Sequence, residues 1–134
     1  MDTDEKPDEK YLRALADYQN LEKQTQNWRE NFVKFANQDL IVSLLEILDD
    51  LEKAQEHLKN DGLQIIIDKL KKTLENSGLE EIKLDNEVFN PELCEAIEII
   101  PGEEDNKIAE IIQKGYKLNG KVVRVAKAKV WQKL

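Results

Sequence analysis

Between Asp8 and Asp61 the chain contains neither glycine nor proline, and its apolar residues return every three or four positions. Tyr11, Leu15, Tyr18, Leu21, Thr25, Trp28, Phe32, Phe35, Leu40, Leu44, Ile47 and Leu51 fall on one helical face, which continues to Ala54 and Leu58. A helix of about fifty residues is roughly 75 Å long at 1.5 Å per residue. A rod of that length has no globular body around most of it, so its stripe needs a cover from outside. A second copy of the chain is the simplest cover.

The stripe changes character along its length. Up to about Phe35 it is narrow and includes polar Thr25, as in a two-stranded seam. The run LIVSLLEILDDL from Leu40 to Leu51 is apolar over a broad arc, which suits burial among several helices. The four-residue steps of Phe32, Ala36, Leu40 and Leu44 depart from a heptad and predict a kink near Phe35–Asp39. Asn60-Asp61-Gly62 ends the rod with turn chemistry. A second helix is expected from Leu63 to Glu75, carrying Ile66 and Leu70 on its apolar face and closed by Asn76-Ser77-Gly78. Two such hairpins from a dimer would make a four-helix bundle.

After Gly78 the pattern becomes strand-like. Strands are expected within Leu79–Leu84, over Ala96–Ile100 up to Pro101-Gly102, and over Lys107–Gln113. In the third of these Ile108 and Ile112 share one face while Ala109 and Ile111 share the other. Gly115 and Gly120 bracket a loop holding Tyr116 and Leu118, and one last strand covers Lys121–Gln132 with Arg124 interrupting its apolar face. The fold class expected is α+β, in four parts: a disordered lead-in (1–8), a long paired helix (9–38), a hairpin of a dimeric four-helix bundle (39–78) and a small β domain (79–134).

Charged residues make up 36% of the chain and aromatics 6%, a balance for solvated helices rather than for a ligand-filled barrel. A net charge of −8 argues against nucleic acid as a partner. Residues 107–134 nevertheless carry eight basic side chains and one acidic, and cross-strand pairing with the acidic 79–105 region is the plainest use for them. No apolar run approaches bilayer length, and the acidic opening MDTDEKPDEK is unlike a secretory leader. A membrane partner is therefore not expected and a cytoplasmic location is. A single cysteine, Cys94, excludes an internal disulfide framework. No phosphate-cradling glycine loop, metalloprotease helix, nucleophile elbow or metal-ligand cluster is present, and His57 is the only histidine. Neither enzyme chemistry nor a cofactor or metal is expected.

The C-terminal residues carry a family resemblance. The run Phe89-Asn90-Pro91-Glu92-Leu93-Cys94-Glu95-Ala96-Ile97 is followed by Gly115-Tyr116-Lys117-Leu118-Asn119-Gly120-Lys121-Val122-Val123-Arg124-Val125-Ala126-Lys127-Ala128-Lys129-Val130. Together they resemble the signature of the GrpE family, nucleotide exchange factors of DnaK-type chaperones. Asp17–Thr25 resembles the family's rod, and Lys34–Leu40 with Leu44–Ala54 resembles its bundle segment. Cys94 stands where the family usually has histidine, and Glu22 and Asn31 where well-known members carry basic residues.

The resemblance implies a parallel homodimer whose interface takes in Leu15, Tyr18, Leu21, Thr25, Trp28, Phe32, Phe35, Leu40, Leu44, Ile47, Leu51, Ile66 and Leu70. It implies a co-chaperone of protein folding and heat stress that engages the chaperone's ATPase domain and speeds ADP release by favouring the open cleft. The chaperone-binding residues it implies are Gly62, Ile112, Gln113, Lys114, Gly115, Tyr116, Leu118, Asn119 and Arg124. The competing reading is a coiled-coil adaptor or a holdase that binds unfolded chains without an ATPase partner.

Overall fold

A computed structural model describes residues 6–85 and 87–133. Helix α1 spans Pro7–Phe35. Proline suits its first position, where the missing N–H would have no helical acceptor, and Asp8 and Glu9 sit at the positive end of the helix dipole. Residues 1–5 of the expected lead-in lie outside the described residues, while Pro7 and Asp8 already belong to the helix. No residue of α1 is buried. Leu15, Tyr18, Leu21, Thr25, Trp28 and Phe32 all face solvent, Trp28 and Phe32 stacking with ring centroids 5.3 Å apart, and Phe35 is half-buried.

The rod expected from Asp8 to Asp61 is interrupted within the Phe35–Asp39 stretch where the spacing predicts a kink. Helix α2 begins at Gln38 and runs to Leu58, and Asn37 between the two helices has φ −101° and ψ 13°. Asn is a poor residue for a helix interior, and Asp39 falls in the first turn of α2, where its charge suits the helix dipole. By chain contacts the residues up to Ala36 form one compact unit and Asn37 onward a second.

In that second unit α2 buries Ile41, Leu45 and Leu48, not the stripe singled out in the sequence. Leu40 and Ile47 of that stripe stay exposed, and Leu44 and Leu51 are half-buried. The broad apolar arc of α2 thus splits into two faces, one used within the chain and one left open. Lys59 ends α2 in a left-handed conformation (φ 48°), and Gln55 clasps Asn60, donating to its carbonyl at 2.7 Å. Asn60 caps α3 (Asp61–Asn76), its Oδ1 accepting the Leu63 N–H at 3.0 Å. Gly62 therefore opens α3 instead of ending the rod, and a Cβ there would come within 3.2 Å of the capping oxygen. Helix α3 buries Ile67 and Leu74, half-buries Leu70 and leaves Ile66 exposed.

The β part forms two three-stranded sheets. One has the order β1 (Leu79–Glu81), β4 (Tyr116–Leu118), β5 (Lys121–Arg124), and the other β2 (Cys94–Gly102), β6 (Ala126–Lys133), β3 (Ile108–Gln113). Four expectations change here. Tyr116 and Leu118 stand in a strand, not a loop, because Asn119 (φ 48°) and Gly120 (φ 88°) make a two-residue turn with both φ positive, the geometry that joins antiparallel strands most tightly. The last strand is two strands, since the chain changes sheets at Val125 and Ala126 pairs with Cys94. Strand β2 runs through Pro101 to Gly102, as a proline can on an edge strand. In β3, register shifts on either side of Glu110–Ile111 undo the simple alternation, so Ile108 and Ile111 share the core while Ile112 is 44% exposed.

That core joins Leu84, Cys94, Ile108, Ala126, Ala128 and Val130, with Phe89 and Leu93 packed on it. Replacing fully buried Leu45 by alanine is expected to cost about 2–5 kcal/mol in urea unfolding. Leu40→Ala, at a position 63% exposed, should cost no more than about 0.5 kcal/mol if α2 meets no further surface. A larger loss that grows on dilution would reveal a second chain on the open face.

Candidate functional site

The excess of positive charge at the C-terminal end finds its counterpart partly on helix α2. Asp49 and Glu52, one turn apart, flank the buried Leu45–Leu48 face and meet β5 and the segment between β3 and β4. Arg124 at the end of β5 grips Asp49 with both arms of its fork: Nη1 donates to Oδ2 at 2.7 Å and Nη2 to Oδ1 at 3.1 Å. Its Nε and Nη2 also donate to the Lys114 carbonyl at 3.0 and 2.7 Å. The guanidinium carbon lies 5.3 Å from the centre of the Tyr116 ring across the hairpin. The two partners are only 13% and 18% exposed at their side chains, so the pair is shielded far better than a surface ion pair.

Lys114 extends the network. Its Nζ lies 3.3 Å from both Glu52 Oε2 and Glu81 Oε1, and Lys83 pairs with Glu81 as well. Lys71 of α3 brings its Nζ within 2.7 Å of Glu52 Oε1, off the hydrogen-bonding direction, so charge rather than directed bonding holds that end. Burial pushes the Glu81 carboxyl up, yet Lys83 and Lys114 outweigh it and hold the group below its ordinary value. Burial likewise pushes Lys114 down, and Glu52 and Glu81 more than reverse this. Tyr116 is pushed far up, by burial first and then by Glu52, Glu81 and Asp49, so its hydroxyl stays protonated. Helices α2 and α3 are thus tied to the β part by a band of charges beside the buried apolar side chains of Leu48, Leu74, Leu79 and Tyr116.

The nine residues implied as chaperone contacts divide sharply. Ile112 is exposed on the rim of an open cleft of about 500 Å³, between α2 (Asp49, Glu52, Glu56) and β3 (Ile111, Ile112, Gln113). Gln113 is half-buried and donates to Asp49 at 3.5 Å. Lys114 keeps 39% of its side chain open while serving two glutamates. Asn119 is exposed at the β4–β5 turn, and its N–H donates to the Gly78 carbonyl at 2.9 Å. Gly62 is exposed in the first turn of α3. Tyr116 and Leu118, at 5% and 0% exposure, offer no surface and belong to the packing beneath. Gly115 is buried too: a Cβ there would stand 2.5 Å from the Ala126 nitrogen, so glycine answers to a close crossing of backbones rather than to a turn dihedral. Arg124 faces α2.

Sequence reasoning passed over Asp49, Glu52 and Lys71 altogether. The signal for them was the charge imbalance: positive charges on short strands beside a helix whose acidic residues border its buried stripe. Lys129 does meet Glu98, its neighbour across the β2–β6 pair, at 3.3 Å, in keeping with the cross-strand expectation. Among the described residues no group of side chains is arranged to hold a metal ion, and no helix is long and apolar enough to cross a membrane.

A capped helical hairpin carrying two small sheets over a charged seam is an α+β scaffold that presents an edge and a cleft. A model of the GrpE family matches residues 3–132, nearly the whole chain. Protein GrpE of Methanosphaera stadtmanae is 41% identical over 132 residues, covering 93% of this chain and 76% of its own length. Protein GrpE of Limosilactobacillus reuteri is 37% identical, covering 93% and 72%, and that of Clostridioides difficile 36%, covering 91% and 63%. The chain belongs to the GrpE family of co-chaperones, the family its C-terminal motifs resemble.

The seam has a definite pH signature. Because Glu81 is held below 4.5 in the fold, its contribution is complete above that pH and is lost as pH falls through the lowered value. Lys114, raised above 10.5, contributes fully below that pH and loses its part only in stronger alkali. Glu81→Gln should therefore lower the urea midpoint at pH 7, and the gap from the unsubstituted protein should be smaller at about pH 3, on the way down through the lowered value. An equal gap at both pH values would contradict this account of Glu81.

Proposed function

We propose that this protein accelerates ADP release from a DnaK-type chaperone by binding its ATPase domain in the open state. The observation that carries the reading, beside family membership, is the exposed Ile112 edge of β3 standing over the cleft to α2, with Gln113 and Lys114 next to it. An apolar side chain flanked by hydrogen-bonding groups and backed by a braced support is suited to wedge against a mobile lobe. The physics is a population shift: a factor that prefers the open cleft raises its share, and each tenfold gain in release needs about 1.4 kcal/mol of differential binding. No covalent step is involved. Gly62, Ile112, Gln113, Lys114 and Asn119 are the contact residues this reading keeps. Gly115, Tyr116 and Leu118 serve it by shaping the β part from below.

The working form in this proposal is a parallel homodimer. Its support is the uncovered apolar surface: α1 buries nothing, and Leu40, Ile47 and Ile66 leave a second face of the hairpin open. An isolated helix with so long an apolar stripe is marginal in water, and a partner copy would cover it. Two hairpins would then close a four-helix bundle through Leu40, Leu44, Ile47, Leu51, Ile66 and Leu70. The same stripe would serve a holdase, which must suppress aggregation with no ATPase present.

Release of labelled ADP from the chaperone tests the exchange reading; no acceleration at saturating protein would sink it. Ile112→Asp is expected to lower exchange efficiency by about tenfold or more while the dimer persists. Light scattering should return twice the 15.6 kDa chain mass, and a monomer would remove the dimer from the proposal.

A further inference from the structure

Arg124 is fixed by more bonds than any surface contact would need. Its guanidinium holds the Asp49 carboxylate with two hydrogen bonds and the Lys114 carbonyl with two more, and its flat face lies toward Tyr116. Four of its five donor hydrogens are directed into the chain. Its side chain is 13% exposed. A group so committed has little left to offer a partner, but it stands where three parts of the unit converge: helix α2 through Asp49, strand β5 through its own backbone, and the link between β3 and β4 through Lys114.

We infer that Arg124 is a positioning residue for nucleotide exchange: it latches the β part to α2 and so sets where the Ile112–Gln113 edge stands. This deepens the exchange reading and rests on it for its effect on the chaperone. The route to that edge is short. Lys114 follows Gln113 directly, and its carbonyl is pinned by Arg124 while its ammonium is held by Glu52 of α2. Gln113 reaches the same Asp49 carboxylate at 3.5 Å. Release of the guanidinium would therefore loosen the end of β3 at Gln113, while the core around Ile108, Ala126, Ala128 and Val130, in the sheet that lacks Arg124, keeps its own packing. The arrangement also explains why arginine stands here: a lysine could meet Asp49 or the carbonyl but could not fork across both.

A double-substitution cycle on the full-length protein separates positioning from contact. Asp49→Asn and Arg124→Gln should each lower exchange efficiency by about tenfold, and the pair together by no more than either alone, because both break one joint. If Arg124 touched the chaperone directly, Asp49→Asn would leave exchange near normal, or the two losses would multiply toward a hundredfold. Either result overturns the inference. Hydrogen exchange without any chaperone supplies the second readout. In each variant the amides of residues 113–118 should exchange about tenfold faster or more, while those of β6 keep their protection. Unchanged exchange at 113–118, or a rise spread equally over β6, would show that no local latch exists. If the unsubstituted protein fails to release ADP, the exchange reading falls, and hydrogen exchange still decides whether the latch is real.

Discussion

A guanidinium keeps its charge at any pH a protein meets, so an arginine drawn out of water must find its anion and fill its fork. In this chain that requirement joins residues 75 positions apart in sequence, Asp49 on α2 and Arg124 on β5. Everything near the cleft is referred to this joint. The Lys114 carbonyl completes the coordination of Arg124, the Lys114 ammonium completes that of Glu52 and Glu81, and the protonated Tyr116 phenol roofs the group. Charges here alternate in sign from Arg124 to Asp49 and from Lys71 through Glu52 and Lys114 to Glu81 and Lys83, so each carboxylate is shared and no like pair stands alone. Such a band costs more to assemble than an apolar contact, but it specifies one register between helix and strand, which an oily face does not.

The helical half of the chain was legible because its signals are local. Apolar spacing marks the faces of α1, α2 and α3, and the four-residue steps through Ala36 and Leu40 point to the break between Phe35 and Gln38. The choice of face on α2 was not legible. Ile41, Leu45 and Leu48 are as apolar as Leu40, Leu44 and Ile47, and periodicity alone does not rank two neighbouring stripes. Gly62 shows a similar limit: a glycine after Asn-Asp reads as a helix end, yet the left-handed residue is Lys59 and the glycine leaves room for the Asn60 cap.

The β half hid its details for identifiable reasons. Asn119-Gly120 is a strong hairpin signal, and reading Gly115 and Gly120 as brackets of one loop passed over it. In β3 two register shifts move Ile111 to the core side and turn Ile112 outward, an effect no alternation rule anticipates. The change of sheet at Val125 is made possible by Gly115, whose absent side chain lets the backbone at Ala126 pass close by. The family motif singled out one segment but did not distinguish residues that face outward from those that pack beneath them. Ile112 and Arg124 belong to the same implied list, and only the fold separates an exposed edge from a latch.

This separation bears on how a small unit of this kind can act on another protein. The sheet that holds Ile112 has its own core at Ala126, Ala128 and Val130, and this core does not depend on α2. The sheet of β1, β4 and β5 is the one tied to the helices, through Arg124 and through the Asn119–Gly78 contact at the α3–β1 junction. In the proposed exchange reading one sheet presents and the other anchors. Between them the chain crosses twice within the motif, at Lys114–Gly115 and at Val125, and both crossings lie next to Arg124. The edge also meets α2 directly, Gln113 at Asp49 and Lys114 at Glu52, so in that reading the charges at the seam set how stiffly the edge is held.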